Sequence, residues 1–452
     1  MNHVRCAIGR SGCLPILRVR RQPIALILLL WLTFICDAVF AGAPDDSISA
    51  SKLTVFYVAP HEAGDESGKS AVSPANFRNS FFWSRVRQTL QNGSVIVNFL
   101  DGKYLVSADE NKELPTLFLK DMGHDGHQLT LQAISQDGVL FTRLESDIEQ
   151  TNTGPGFLTI RNSQNIVIRN LHFTAKSPIG YATHFSGKNI LVEDCSWIDL
   201  PGVFYGATGT AGGDDHVTFR NCVFKRIGSG PHAHMAYNAY GPQHIAFIDC
   251  WFEDCSGDYV RFRDSTDYGV VVGCTFKSTG TYRSVNMPFV AVPLFNDDDP
   301  KNPVERNGKN VNYEYFGTHF LIFNNKFLYD SDVREGKRVA LVFHHSGFDP
   351  PGCHHLLTPE QAKLLAEGNL AEKKSLMREN FHIDTDCIHF FNNSFTGVDL
   401  KVAYSSRPAY GAKSKGWEGI IDITDLVNSK SVVHDESKAL TFFGDDPEAT
   451  SK

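Results

Sequence analysis

Residues 244–252 read HIAFIDCWF, and variants of this nine-residue phrase return along much of the chain. The other copies are NIVIRNLHF at 165–173, NILVEDCSW at 189–197, HVTFRNCVF at 216–224, YGVVVGCTF at 268–276, HFLIFNNKF at 319–327 and CIHFFNNSF at 387–395. The first five copies start 24 to 28 residues apart, a period typical of solenoid repeats. The sequence therefore predicts stacked coils, with loop insertions or degenerate coils in the longer gaps after residue 276.

One position in every phrase predicts a sharp bend. Before it, residues alternate inward and outward as a strand requires; Val217 and Phe219, for example, point inward. The sixth residue is always Asn, Asp or Gly, the types that tolerate a left-handed backbone. These residues are Asn170, Asp194, Asn221, Asp249, Gly273, Asn324 and Asn392. Each phrase is thus predicted to form two strands joined at a bend.

Two further positions should form ladders inside the coil. Phenylalanine recurs at the ninth position, in Phe173, Phe224, Phe252, Phe276, Phe327 and Phe395. Cysteine recurs at the seventh, in Cys195, Cys222, Cys250 and Cys274. Neighbouring strands lie about 4.8 Å apart, so each position becomes a column along the coil. We expect the phenylalanines to form the core and the thiols to pack as small hydrophobes, with disulfides or a metal as alternatives.

A helix is predicted at 79–90, before the first coil. Phe82, Val86 and Leu90 are spaced so that they form one apolar stripe, and Gly93 follows where a helix often ends. A helix here would cover the open end of a solenoid, which otherwise exposes apolar side chains and unpaired backbone groups.

The first residues resemble a secretory signal peptide. Arginines precede the apolar run 24–35 and the small residues 41–43. A membrane anchor is the alternative, but the run is shorter than the ~20 residues that a spanning helix needs. We expect a secreted or periplasmic monomer with no membrane partner after cleavage. The predicted boundaries are signal peptide 1–43, linker 44–55, β-helix 56–400 and irregular tail 401–452.

Two insertions interrupt the repeats, at about 288–312 and 344–386. The second is predicted to contain a helix that begins at Thr358, with Pro359 in its first turn. Acidic residues 297–299 in the first keep calcium as a candidate cofactor, although an acidic turn is the alternative. The second contains His344, His345, Cys353, His354 and His355, whose spacing matches no closed zinc site.

A third strand per coil is supplied by phrases such as YATHF at 181–185 and HMAYNAY at 234–240. The repeat spacing, the bend position and the YVAP opening at 57–60 before a capping helix resemble the pectate-lyase-like superfamily, over residues 56–395. The resemblance implies an all-β fold, a single-stranded right-handed parallel β-helix (solenoid) with an N-terminal capping helix and loop insertions. This fold hosts lyases, hydrolases, epimerases and non-catalytic carbohydrate binders.

Chemically active side chains concentrate between residues 231 and 269. They are His232, His234, Tyr237, Tyr240, Asp258, Arg261, Arg263 and Asp264. With turns of equal length, Ala182, Tyr237 and Arg261 form one outward column, and His184, Ala239 and Arg263 form the next. A rival register turns His234, Asn238 and Tyr240 outward and buries Met235 and Tyr237.

Two outward arginines suit an anionic sugar, because guanidinium pairs with carboxylates through a planar fork of donors. In the β-helix lyases that the chain resembles, Arg, Lys or calcium neutralises a uronate carboxylate and a base removes the neighbouring proton. The resemblance therefore implies a lyase that acts on an acidic polysaccharide by β-elimination. The predicted catalytic residues are Tyr237, Arg261, Arg263, His234 and His184.

Several alternatives stay open. Arg261 and Arg263 can instead pair with Asp258, Asp264 or Asp267 on a solvated face. Asp214 and Asp215 resemble the paired aspartates of polygalacturonase-type hydrolases, but the G-H-G and R-x-K elements of that family are missing. A glycoside hydrolase, a C5 epimerase or a non-catalytic carbohydrate-binding protein is the competing function. The net charge of −8 argues against a nucleic-acid partner.

Overall fold

Short strands joined by bends make up most of the chain that the computed structural model describes. The described residues are 53–107, 114–123, 126–144, 156–210, 215–239, 241–262, 266, 268–282, 290–293, 305–306, 309–310, 320–333, 338, 340–344, 358–381, 388–397 and 404–407. The signal segment 1–43 and the acidic residues 297–299 lie outside them. Among the described residues, no helix is both long and apolar enough to span a bilayer.

Within these described residues, thirty strands and three helices have the following bounds. The first strands are β1 Thr54–Ala59, β2 Ala75–Asn76, β3 Val95–Phe99, β4 Gly102–Val106, β5 Leu117–Lys120, β6 Leu129–Ala133, β7 Val139–Arg143, β8 Leu158–Arg169, β9 His172–Phe173, β10 Ile179–Tyr181, β11 Thr183–Glu193, β12 Ser196–Leu200, β13 Val203–Thr210, β14 Asp215–Arg220 and β15 Val223–Ile227. The remaining strands are β16 His234–Asn238, β17 Gln243–Ile248, β18 Trp251–Cys255, β19 Val260–Phe262, β20 Gly269–Val272, β21 Thr275–Ser278, β22 Val290–Pro293, β23 Glu305–Arg306, β24 Lys309–Asn310, β25 Phe320–Phe323, β26 Lys326–Tyr329, β27 Leu341–His344, β28 Ile388–Phe391, β29 Ser394–Thr396 and β30 Tyr404–Arg407. The helices are α1 Ser80–Leu90, α2 Pro359–Glu367 and α3 Leu370–Phe381.

Three parallel sheets run along the coil. The first has twelve strands, in the order β2-β1-β3-β6-β8-β11-β14-β17-β20-β25-β28 with β5 beside β8. The second has seven, β10-β13-β16-β19-β22-β27-β30, and the third has nine, β29-β26-β21-β18-β15-β12-β9-β7-β4. One turn runs from β14 in the first sheet through β15 in the third and β16 in the second to β17. This is the predicted right-handed parallel β-helix.

The predicted bends are confirmed. All seven sixth-position residues have positive φ, from 51° at Asn392 to 67° at Gly273. In the first five copies the first position of the phrase is also left-handed, which the sequence reasoning missed, and there it includes His216 and His244. The two imidazoles stack with ring centroids 4.3 Å apart. This contact offsets part of the strain of a left-handed backbone in bulky residues.

Both predicted ladders lie inside the coil. The rings of Phe224, Phe252 and Phe276 stack nearly parallel, with centroids 4.9 and 4.7 Å apart. The same column continues through Phe327 to Phe395 at its C-terminal end. The four cysteines of the repeat are buried and free, as expected for small hydrophobes. Burial raises the pKa of Cys195 to about 12, so this thiol stays protonated.

Helix α1 caps the coil as predicted. The Asn79 side chain accepts hydrogen bonds from the N–H groups of Phe81 and Phe82, at 3.0 and 3.1 Å, which begins the helix. Phe82 and Val86 are buried and belong to the same core as the strands. The Phe82 ring meets Phe56 of β1 edge to face at 5.6 Å.

The C-terminal part contains a confirmed helix and an additional strand. Helix α2 follows Thr358, which forms a capping box with Gln361, and Pro359 lies in its first turn. Strand β30 pairs in parallel with β27, so Leu341 lies beside Tyr404. The second sheet therefore extends past residue 400, where the sequence analysis placed the start of an irregular tail.

Candidate active site

Tyr237 and Arg261 lie side by side on the second sheet. Tyr237 of β16 is paired with Arg261 of β19, and Gly209 of β13 flanks Tyr237 on its other side. Val260 and Phe262 are in the core, so the side chain between them points away from it. Asn238 pairs with Phe262 and is buried, contrary to the rival register. The equal-turn register is thus confirmed for these two strands.

The assumption that turns have equal length, which placed Ala182 in the column of Tyr237, is wrong one coil earlier. The Ala182 N–H donates to the Gly206 carbonyl, which places Ala182 beside Ala207, and both alanines are in the core. His184, two residues later, is then level with Gly209. Further along the same two strands, Lys188 pairs with Asp215. Asp215 lies six positions after Gly209, whereas Lys188 lies only four positions after His184. These two extra residues move His184 into the column of Tyr237 and Arg261 and leave Ala182 inside.

The column continues into the first sheet. His184 pairs with Thr159 of β8, and Thr159 pairs with Phe118 of β5. Phe118, Thr159, His184, Gly209, Tyr237 and Arg261 therefore follow one another on successive strands, and we call them the outer column. Phe118 is exposed at one end, whereas Arg261 is buried at the other. The outer column places an aromatic ring, an imidazole, a phenol and a guanidinium along one line.

His184 is held in its neutral form. Burial, together with the positive charge of Arg161, lowers the pKa of this imidazole to about 4. Its Nδ1 atom is buried and has no hydrogen-bond partner among the described residues. At neutral pH, His184 is therefore an unprotonated imidazole that can accept a proton.

Arg261 is more enclosed than the sequence suggested. It is 4% exposed, and its Nη1 lies 3.1 Å from Oδ2 of Asp258, which is fully buried. The Nδ1 of His234 lies 3.8 Å from the same carboxylate oxygen. The predicted pairing with Asp258 is thus present, but it is a buried ion pair rather than one on a solvated face. Asp258 lies three residues before Arg261, in the segment that leads into β19, so the two side chains meet within one turn of the chain.

Tyr181 joins these groups, and the sequence analysis did not select it. Its ring meets His184 edge to face at 5.4 Å and lies 6.3 Å from the ring of Tyr237. On the far side of Tyr237, the His234 ring stacks at 4.9 Å. A continuous set of rings therefore runs from His184 through Tyr181 and Tyr237 to His234. The third-strand phrase YATHF contains Tyr181, but its contacts depend on the register between coils.

Exposed positive charge lies beside His184. Arg161 and Lys120 are paired on adjacent strands β8 and β5, two residues beyond Thr159 and Phe118 of the outer column. Both are exposed, and Lys120 lies 3.9 Å from the Asp121 carboxylate, a long ion pair on the surface. Such exposed pairs are weak, so both cations remain able to attract an anion.

Some predicted site residues cannot be placed. Arg263 and Tyr240 lie outside the described residues, as do Asp214, His345, Cys353, His354 and His355. Within the part of the chain that the structure describes, no group of three or more His, Cys, Asp or Glu side chains could hold a metal ion. Calcium, expected at residues 297–299, stays a prediction.

Comparison with solved structures finds similar chains at low sequence identity. An alginate lyase from Paenibacillus sp. str. FPU-7 is 12% identical, with 59% of this chain and 80% of that chain covered and a TM-score of 0.40. Pectate lyase Pel9A is 15% identical, with 65% and 75% covered and a TM-score of 0.43. PfbA, a surface adhesin of Streptococcus pneumoniae, is 18% identical, with 58% and 70% covered and a TM-score of 0.36. No family model and no curated protein matches.

Proposed function

We propose that this protein cleaves a uronic-acid-containing polysaccharide by β-elimination at the outer column. The observation that carries the proposal is the placement of the neutral, partly exposed His184 in the same column as Tyr237 and Arg261 and on the strand next to the exposed Arg161. A proton acceptor beside fixed positive charge is what removal of a proton next to a carboxylate requires.

The proposed reaction assigns one role to each group. His184 takes the proton from the carbon next to the carboxylate, and the electrons of that C–H bond form a new C=C bond. The C–O bond to the leaving sugar breaks, and its oxygen takes a proton from Tyr237. Arg161 and Lys120 stabilise the negative charge that builds up on the carboxylate. Asp258 holds Arg261 in place, and the Arg261 guanidinium lies 6.0 Å from the centre of the Tyr237 ring.

The test is to mix the purified protein with pectate, alginate and glycosaminoglycans and to follow the absorbance of the unsaturated product. His184→Ala should lower the rate about 100-fold or more, the usual contribution of a general base. His61→Ala is the matched control, because His61 is an exposed histidine near the N-terminal end of the described chain. No unsaturated product from any uronate, with or without calcium, would rule out the lyase.

Non-catalytic carbohydrate binding is the second candidate. One observation favours it: Asp258 already neutralises Arg261, and both His234 and Tyr237 are largely buried. A binding protein would hold oligouronates without changing them. Isothermal titration that detects binding while no product forms would select this function. New reducing ends without the unsaturated chromophore would instead select a hydrolase, and solvent deuterium exchange without cleavage would select an epimerase.

A further inference from the structure

Tyr181 lies beside a second aromatic pair, Phe204 and Tyr205, and the proposed reaction uses none of these three side chains. Phe204 and Tyr205 are the second and third residues of strand β13 and are 44% and 47% exposed. Their rings meet edge to face, with centroids 4.8 Å apart. The Tyr205 ring stacks on Tyr181 at 5.7 Å with an interplanar angle of 22°. We call Tyr181, Phe204 and Tyr205 the ring cluster.

Two glycines of β13 allow the Tyr181 ring to lie against the strand. A Cβ atom added at Gly206 or Gly209 would lie 3.1 or 3.0 Å from Cε1 of Tyr181, closer than most real contacts of that kind. Any larger residue would push the ring away from the sheet. The absence of side chains at these two positions therefore places Tyr181 between the exposed Tyr205 and the outer column.

We propose that the ring cluster is a subsite that binds one pyranose ring of an acidic polysaccharide, and this rests on the proposed function. A pyranose has an apolar C–H face and a polar rim, which match the flat face and the hydroxyl of tyrosine. The cluster is continuous with the outer column, because Tyr181 contacts both His184 and Tyr237.

The exposed positive charges near His184 favour an anionic glycan, rather than an apolar protein surface, as the ligand of the ring cluster. Arg161 and Lys120 are exposed on the strands that precede β11 in the first sheet, and the positive charge of Arg161 acts on His184. A polymer that carries a carboxylate on each sugar can place one unit on the ring cluster while a neighbouring unit meets these cations. An apolar partner would gain nothing from them.

The test is isothermal titration of the full chain with oligogalacturonates and oligomannuronates. Tyr205→Ala should weaken binding about tenfold, the usual loss when an aromatic anchor is removed. Tyr205→Phe keeps the ring and should bind within about twofold of the natural protein. Trp251→Ala is the matched control, because Trp251 is 37% exposed on the third sheet. Phe204→Ala provides a second variant if Tyr205→Ala unfolds.

The outcomes separate this subsite from the lyase chemistry. Binding that is weakened by Tyr205→Ala while no unsaturated product forms would support the subsite and remove the lyase. Product formation with KM unchanged in Tyr205→Ala would support the lyase and overturn the subsite. Failure of the natural protein to bind any oligouronate would overturn the subsite, as would a dimer that Tyr205→Ala dissociates, since the rings would then contact a second copy.

Discussion

Arg261 points away from the core of the coil and is nevertheless buried. Its guanidinium is held by the carboxylate of Asp258, which has no exposed surface. Two opposite charges removed from water attract each other strongly, but each destabilises the folded state when its partner is removed. The direction in which a strand side chain points follows from the inward and outward alternation along the strand. Its burial depends on which other groups cover it in the folded protein.

Arg261→Ala is therefore expected to lower the free energy of unfolding by about 3 to 5 kcal/mol, because it leaves the Asp258 charge buried without its partner. The measurement is equilibrium unfolding in urea. The control is Arg161→Ala, an exposed arginine whose loss should change stability by no more than about 0.5 kcal/mol. Equal stability of the two variants would mean that the Arg261–Asp258 pair contributes nothing to folding.

The lowered pKa of His184 predicts two effects of acid. If His184 is the base, kcat/KM should fall at low pH with an apparent pKa near 4. The unfolded chain binds a proton on this imidazole near its ordinary pKa of 6.5, whereas the folded chain binds it only near 4. Stability should thus decrease as pH falls through this interval and should be unaffected by His184 above it.

A pH series of thermal unfolding checks this prediction. His184→Gln should lose less stability than the natural protein between about pH 6.5 and pH 4, because it has no imidazole to protonate. His61→Gln, at an exposed histidine, should follow the natural protein. Parallel curves for the natural protein and His184→Gln would show that His184 is not held neutral by the fold.

At the scale of the element, each nine-residue phrase forms two strands that are joined at one left-handed residue, and an aromatic ring lies at its ninth position. The stacked rings of the third sheet lie 4.5 to 5.4 Å apart from Phe141 to Phe395, which is close to the spacing of the strands that carry them. Each ring of this column from Phe173 to Phe327 therefore contacts the rings of the coils before and after it.

Phe252→Ala should reduce stability by about 3 to 5 kcal/mol, because it opens a cavity between Phe224 and Phe276. Trp251→Ala, at the neighbouring residue that faces solvent, should have a far smaller effect. Urea unfolding of both variants measures the difference. Similar losses would show that the aromatic column is not the main packing element of the coil.

The bend between the two strands of a coil gives a second prediction. Asn324 has φ of 56°, a region that alanine adopts only with a penalty of about 1 to 2 kcal/mol. Asn324→Ala should lower the thermal midpoint, whereas Asn324→Gly should leave it nearly unchanged because glycine adopts this conformation freely. A midpoint lowered more by glycine than by alanine would contradict a left-handed bend.

At the scale of the whole molecule, α1 closes the N-terminal end of the coil. Without this helix, the apolar surface of the first strands and their unpaired backbone groups would be available for pairing with other chains. Solenoids require such caps for this reason.

Val86→Asp should therefore destabilise the cap and cause the protein to associate, because Val86 is fully buried in the contact between α1 and the first coil. Ser84→Asp, two residues away on the exposed side of α1, should remain unchanged in size. Size-exclusion chromatography with light scattering measures the association. A Val86→Asp protein that stays the same size as Ser84→Asp would show that the cap is not needed against association.

The sequence by itself determined the repeating part of the protein: the parallel coil, the bends, the aromatic and thiol ladders and the capping helix. Each of these depends on residue type at a fixed spacing, which the chain displays directly. Only the tertiary structure decided the site. Two extra residues after Gly209 moved His184 into line with Tyr237, and a buried Asp258 enclosed Arg261. The Tyr181 ring lies against two glycines and connects His184 to Tyr205. These contacts form between neighbouring coils, where a shift of one or two residues changes which side chains meet. The spacing of residue types within the repeated phrase does not reveal such a shift, because the shift depends on how the turns outside the phrase align.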